Sequence, residues 1–215
     1  MQDIQDCRHV IATTGYKSRT GDVLLARKTA ERLGILYVKR EHISYEMLRE
    51  RYRAKFLLVA KQGGLRLETP EGELFFHPNM AHLRVKHLAL GQRDHMVEAM
   101  GLELGMTVLD CTLGLGADAI TASFVVGELG RVTALEKSPL IYEIVHYGLA
   151  HFLAGNYDLH AAMRRIEALG VDYEPFLRQL PDDSYDVVYF DPMFRHPLKE
   201  SIQLAPLRLA AAPEP

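Results

Sequence analysis

Val108-Leu109-Asp110-Cys111-Thr112-Leu113-Gly114-Leu115-Gly116-Ala117-Asp118 begins as a short apolar run ending in an acid, passes two glycines and leads into helix-forming residues. This order predicts a buried parallel strand, a tight turn and the start of a helix. Glycine suits the turn because a side chain there would hold a ligand away from the amides at the helix N-terminus. A nucleotide-like cofactor site is the expectation. A Gly-x-Gly loop serves many such cofactors, so its neighbours must narrow the choice.

Downstream, residues 131–136 predict a strand ending in Glu136, and Pro139 is well placed to open a helix over residues 140–152. Residues 164–169 predict a further strand with Asp172 just beyond it. Residues 184–190 predict a fourth, followed by Asp191-Pro192-Met193-Phe194. Four strands in β-α-β order thus carry Asp110, Glu136, Asp172 and Asp191 to one carboxyl edge, where open parallel sheets bind ligands. Glu136 lies about one βαβ unit past the glycines, where an acid accepts both hydroxyls of a ribose. Any one of these acids would suit a solvated strand end. Four on one edge, beside the glycine loop, point to a site.

Upstream, residues 9–14, 35–38 and 55–60 read as strands, residues 20–33 as a helix stopped by Gly34, and Ser44 as the N-cap of a second helix. Gly63-Gly64 and Pro70-Glu71-Gly72 turn the chain through two more short strands. A small α/β module over residues 1–75 is expected, with a second domain over residues 76–215. Between them, His77-Pro78-Asn79-Met80 reads as a turn in which Asn79 caps a helix, and a further helix is expected over residues 92–100. His77, His82, His87 and His95 share no ligand spacing with a cysteine or an acid, so no metal site is expected.

At 48% hydrophobic and 25% charged, the 215 residues have the composition of an ordinary globular protein with ample core. No apolar run approaches the roughly 20 residues of a membrane span. The first residues are polar and acidic, unlike a targeting segment. Cys7 and Cys111 form no disulfide framework, so a reduced, cytoplasmic protein is expected. The net charge of −3 is unevenly spread: residues 1–100 hold 17 Lys/Arg against 12 Asp/Glu, and residues 101–215 hold 8 against 16. Arg49, Arg51, Arg53, Lys55, Lys61 and Arg66, with Tyr45 and Tyr52 among them, suit either a surface that tracks a phosphate backbone or a solvated helix face.

Taken together, Val-Leu-Asp-Cys-Thr-Leu-Gly-Leu-Gly-Ala-Asp-Ala, Leu-Glu-Lys-Ser-Pro and Asp-Val-Val-Tyr-Phe-Asp-Pro-Met-Phe resemble class I S-adenosylmethionine-dependent methyltransferases. They are most similar to the branch of bacterial small-subunit rRNA guanine-N2 methyltransferases and its relatives. The resemblance runs from about Phe75 to Arg195, and Asp191-Pro192-Met193-Phe194 stands where amino-group methyltransferases carry Asn/Asp-Pro-Pro-Tyr/Phe. It implies a Rossmann-like, mostly parallel sheet and S-adenosyl-L-methionine as cofactor. Asp110, Gly114 and Gly116 would frame that cofactor, with Ala117 and Asp118 on its methionine or adenosine part. Glu136 and Lys137 would hold the ribose and flank the adenine, and Val171 and Asp172 would meet the adenine. Asp191 would lie between cofactor and acceptor. An exocyclic base amine is a poor nucleophile because its lone pair is delocalised into the ring. The Asp191 carboxylate and the backbone carbonyl at Pro192 would accept its protons, and Phe194 would stack on the extruded base.

The resemblance also implies seven strands, whereas Asp191 follows the fourth and only residues 195–215 remain. The expectation is a sheet truncated after its fourth strand, its edge left exposed or completed by a second copy in a homodimer. The expected function is methylation of an exocyclic amine of a nucleic-acid base, guanine in rRNA first. The alternatives are an adenine or cytosine acceptor in DNA or RNA, and a cofactor-binding adaptor without catalysis.

Overall fold

A computed structural model describes residues 9–153, 155–191 and 205–211. They divide into two compact units, one of residues 9–76, 138–147 and 205–211, the other of residues 77–137, 148–153 and 155–191.

In the first unit, β1 (Val10–Thr14) is flanked in parallel by β2 (Leu36–Tyr37) and β3 (Phe56–Lys61). The antiparallel strands β4 (Gly64–Thr69) and β5 (Gly72–Phe75) extend the sheet to the order β2-β1-β3-β4-β5. All of β1 and all but the last residue of β3 are buried, which suits the apolar runs over residues 10–12 and 56–60; Thr13 and Thr14 are buried with them. β4 alternates instead, burying Leu65, Leu67 and Thr69. The helix α1 (Thr20–Leu33) follows its N-cap, Arg19, and ends at Gly34 in the left-handed conformation. Its Asp22 carboxylate accepts the Arg19 amide at 2.9 Å and the Gly63 amide at 2.9 Å, pinning the β3–β4 turn to the helix start. Ser44 caps α2 (Tyr45–Tyr52) by accepting the Met47 amide, as its sequence position predicts.

The second unit opens with α3 (Asn79–Ala89) and α4 (His95–Met100). Pro78, not Asn79, is the N-cap of α3, and no side chain caps it; Asn79 is already the first helical residue. Then come β6 (Thr107–Asp110), α5 (Ala117–Val126), β7 (Arg131–Leu135) and α6 (Pro139–His151), whose first residues group with the other unit. The helix α7 (Tyr157–Arg165), β8 (Ile166–Leu169), α8 (Tyr173–Arg178) and β9 (Val187–Tyr189) complete it. The expected strand over residues 164–169 is shorter than its sequence suggests. Arg164 and Arg165 close α7, because the Arg164 guanidinium donates to the Leu149 and Phe152 carbonyls near the end of α6.

These strands form one parallel sheet in the order β8-β7-β6-β9, in the Rossmann-like α/β arrangement that the glycine loop and strand-end acids predict. The chain steps from β6 outward to β7 and β8, then returns to lie on the other side of β6. The switch point therefore falls between the carboxyl ends of β6 and β9. One side of the sheet is closed by Leu109, Cys111 and Leu135 packed with Tyr173, Phe176 and Leu177 of α8. At the opposite ends of β6 and β9, Asp186 accepts from the Thr107 amide (2.7 Å) and hydroxyl (2.8 Å), which fixes the register of the two strands.

Candidate functional site

The loop after β6 is held from three sides. The Asp110 carboxylate turns back to accept the Thr112 amide at 2.9 Å. The Leu113 amide donates to the Leu135 carbonyl of β7 at 2.8 Å, and the Gly114 amide donates to Glu136 Oε2 at 3.1 Å. On the other flank, the Cys111 amide donates to the Tyr189 carbonyl, and the Asp191 amide donates to the Thr112 hydroxyl at 2.7 Å. Gly114 and Gly116 sit at φ 50° and 80°, in the left-handed region open to glycine at little cost. Gly116 is also the N-cap of α5, so the loop delivers the chain to a helix start beside the switch point.

The sequence-predicted residues fall into two groups along this edge. Asp110 at the end of β6, Gly114 and Gly116 in the loop after it, Ala117 and Asp118 in the first turn of α5 and Asp191 beyond β9 gather around the β6–β9 switch point. Lys137, Val171 and Asp172 lie where β7 and β8 end, and Glu136 links the two groups through its bond to Gly114. The Lys137 ammonium pairs with Asp172 at 2.9 Å, Asp172 caps α8 through the Glu174 amide, and the Val171 amide donates to the Leu169 carbonyl. Pro192 and Phe194 lie outside the described residues. The neighbouring Phe190 is exposed and packs edge-on against Tyr173, with ring centroids 5.3 Å apart.

Four contributors escaped sequence reasoning: Arg84, Asp94, Thr112 and Tyr189. Asp118, in the first turn of α5, accepts from Arg84 Nη1 at 2.5 Å and from the Tyr189 hydroxyl at 3.1 Å. Arg84 is forked onto Asp94, with Nε and Nη2 at 2.7 and 2.9 Å from the two carboxylate oxygens. Asp94 meanwhile caps α4 through the Met96 and Val97 amides. Thr112 carries no sequence mark beyond its place in the loop, and the other three meet only through the fold.

The site is electrostatically acidic. Asp110 is 2% exposed, and burial, joined by the charge of Asp118, pushes its carboxyl up to about 7. Burial also raises Asp191, again with help from Asp118. The Tyr189 hydroxyl is raised by burial and by the carboxylates around it. Arg84 acts in the other direction: its hydrogen bond holds Asp94 below the usual carboxylate range. Partial burial disfavours the charge of Asp172, but the hydrogen bonds from Lys137 and the Glu174 amide, with the Lys137 charge, together outweigh it and lower its pKa. Burial pushes the Cys111 thiol up to about 12, which leaves it a packing group and not a nucleophile. Such an edge suits a ligand that presents hydroxyl donors and positive charge. A ribose with a sulfonium centre has both, and the glycine loop leaves room for it.

Comparison with known proteins agrees with this geometry. The family described as "Putative SAM-dependent methyltransferase" matches residues 42–208. The protein YpiP of Bacillus subtilis is 42% identical over 91% of this chain and 76% of its own length. Ribosomal RNA small subunit methyltransferase J of Cellvibrio japonicus is 38% identical over 48% of this chain, an alignment that takes in 41% of that enzyme. Among solved structures, the SAM-dependent methyltransferase NGO1261 from Neisseria gonorrhoeae superposes with a TM-score of 0.57. It is 18% identical, and the match covers 86% of this chain and 70% of that one, a likeness of fold.

Proposed function

Since this chain belongs to the SAM-dependent methyltransferase family, we propose that it moves a methyl group from S-adenosylmethionine to an exocyclic amine of a nucleic-acid base. The favoured acceptor is guanine N2 of ribosomal RNA, in the cytoplasm. The observation that carries this reading is the place of Asp191: its amide is bonded to Thr112 of the glycine loop, on the acceptor side of the switch point. A carboxylate there accepts protons from a base amine and raises the electron density at nitrogen. In-line placement of that nitrogen against the methyl carbon supplies much of the acceleration.

The cofactor supplies an electrophilic methyl on a sulfonium. In this reading Gly114 and Gly116 make room, Ala117 and Asp118 face the methionine end, and Glu136 holds the ribose with Lys137. Val171 and Asp172 border the adenine, while Pro192 and Phe194 complete the acceptor side. The acidic lining favours the sulfonium cation. Residues 1–75 dock the RNA, and the β9 side of the sheet is where a second copy would pair. The test is transfer of labelled methyl to small-subunit rRNA from cells lacking the modification. The intact chain labels guanine, and Asp191→Ala lowers the rate at least a hundred-fold. Equal rates for the two proteins remove Asp191 from the mechanism, and label on another base changes the acceptor.

A further inference from the structure

We propose that Arg84, on α3, is a positioning residue that fixes Asp118 so that one carboxylate ties the cofactor loop to the strand end bearing Asp191. The inference rests on the methyltransferase reading and adds to it a network that neither motif contains.

The geometry is specific. The fork onto Asp94 consumes Nε and one Nη2 hydrogen of Arg84, and Asp94 is itself fixed as the cap of α4. The guanidinium plane is thereby set, and with it the directions in which the Nη1 hydrogens can be donated. It donates to Asp118 Oδ1, while Oδ2 of the same carboxylate accepts from Tyr189. Tyr189 precedes Asp191 by two residues, and its carbonyl receives the Cys111 amide of the loop. One chain of contacts, Asp94–Arg84–Asp118–Tyr189, thus runs from the α3–α4 corner to the acceptor end of the site. Without Arg84, Asp118 would stand uncompensated between Asp110 and Asp191, and its preferred response would be to turn toward solvent and release Tyr189. Lysine in place of Arg84 keeps the charge but cannot make the fork, so it restores only part of the effect.

The test combines kinetics with a signal that needs no activity. Tyr189→Phe removes one hydroxyl; it keeps cofactor affinity, by titration calorimetry, within about two-fold and lowers kcat at least ten-fold. Arg84→Met lowers kcat to a similar degree, Arg84→Lys recovers part of it, and the Arg84→Met/Tyr189→Phe double variant is no slower than the slower single one. In protein labelled with carbon-13 at the tyrosine ring, the Tyr189 resonance, assigned by its loss in Tyr189→Phe, moves in Arg84→Met. Multiplying kinetic effects, wild-type kcat in Tyr189→Phe, or an unmoved Tyr189 resonance each overturns the proposal. A moved resonance in a chain that methylates no RNA upholds the network and overturns the function above.

Discussion

At the level of single residues, the carboxyl edge concentrates acids: the charge of Asp118 lies close enough to raise both Asp110 and Asp191. Asp110, Glu136 and Asp191 end apolar runs, and Gly114 and Gly116 stand where the backbone must turn left-handed, so each carries a local mark in the sequence. Arg84 carries none. It lies 10 residues from Asp94 and 34 from Asp118, on a helix with no period that points to either. Asp110 gives the sharpest prediction at this scale. A carboxyl near 7 in the folded chain, against about 3.9 unfolded, holds its proton better when folded. Its stabilising contribution is therefore complete below about pH 4, declines as pH rises to about 7, and is flat above. Asparagine retains the acceptor for the Thr112 amide and does not titrate. Asp110→Asn should accordingly gain melting temperature relative to the parent from pH 4 to pH 8, with parallel melting curves across that range as the opposing result.

At the level of elements, the sequence marks the strands of the second unit well because most are short apolar runs between turns, with β6 and β7 largely buried and β8 and β9 partly exposed. Helix ends were read well where a side chain does the capping, as at Ser44, and less well where tertiary contacts decide. Arg164 and Arg165 look like the start of a strand until the Leu149 and Phe152 carbonyls are seen beside Arg164. Asn79 looks like a cap until the chain is seen entering its helix one residue earlier. A cap that does act is Asn156, whose side chain accepts the Leu159 amide at 3.0 Å at the start of α7. Asn156→Ala should cost about 1 kcal/mol in urea unfolding, with an unchanged denaturant slope. A loss below a few tenths would mean that packing of Leu159, Ala162 and Met163 alone sets that helix start.

At the level of the whole molecule, the charge bias toward the front half acquires a structural form. Within the first unit, Lys17, Arg27, Arg40, Arg51 and Arg66 each lie within 6 Å of the ring centre of Tyr16, Tyr37, Tyr45, Tyr52 and Phe75 respectively. Paired cations and rings suit RNA, whose phosphates and bases they can meet in turn. Arg51→Ala with Arg53→Ala should weaken rRNA binding several-fold and flatten its salt dependence, leaving cofactor affinity unchanged. An unaltered salt slope would free these residues from RNA contact. That the carboxyl edge of the second sheet is an S-adenosylmethionine site is tested by titrating that cofactor into the intact chain. One site per chain is expected, weakened at least ten-fold by Glu136→Ala. Absence of binding, or equal affinity in the variant, would contradict it.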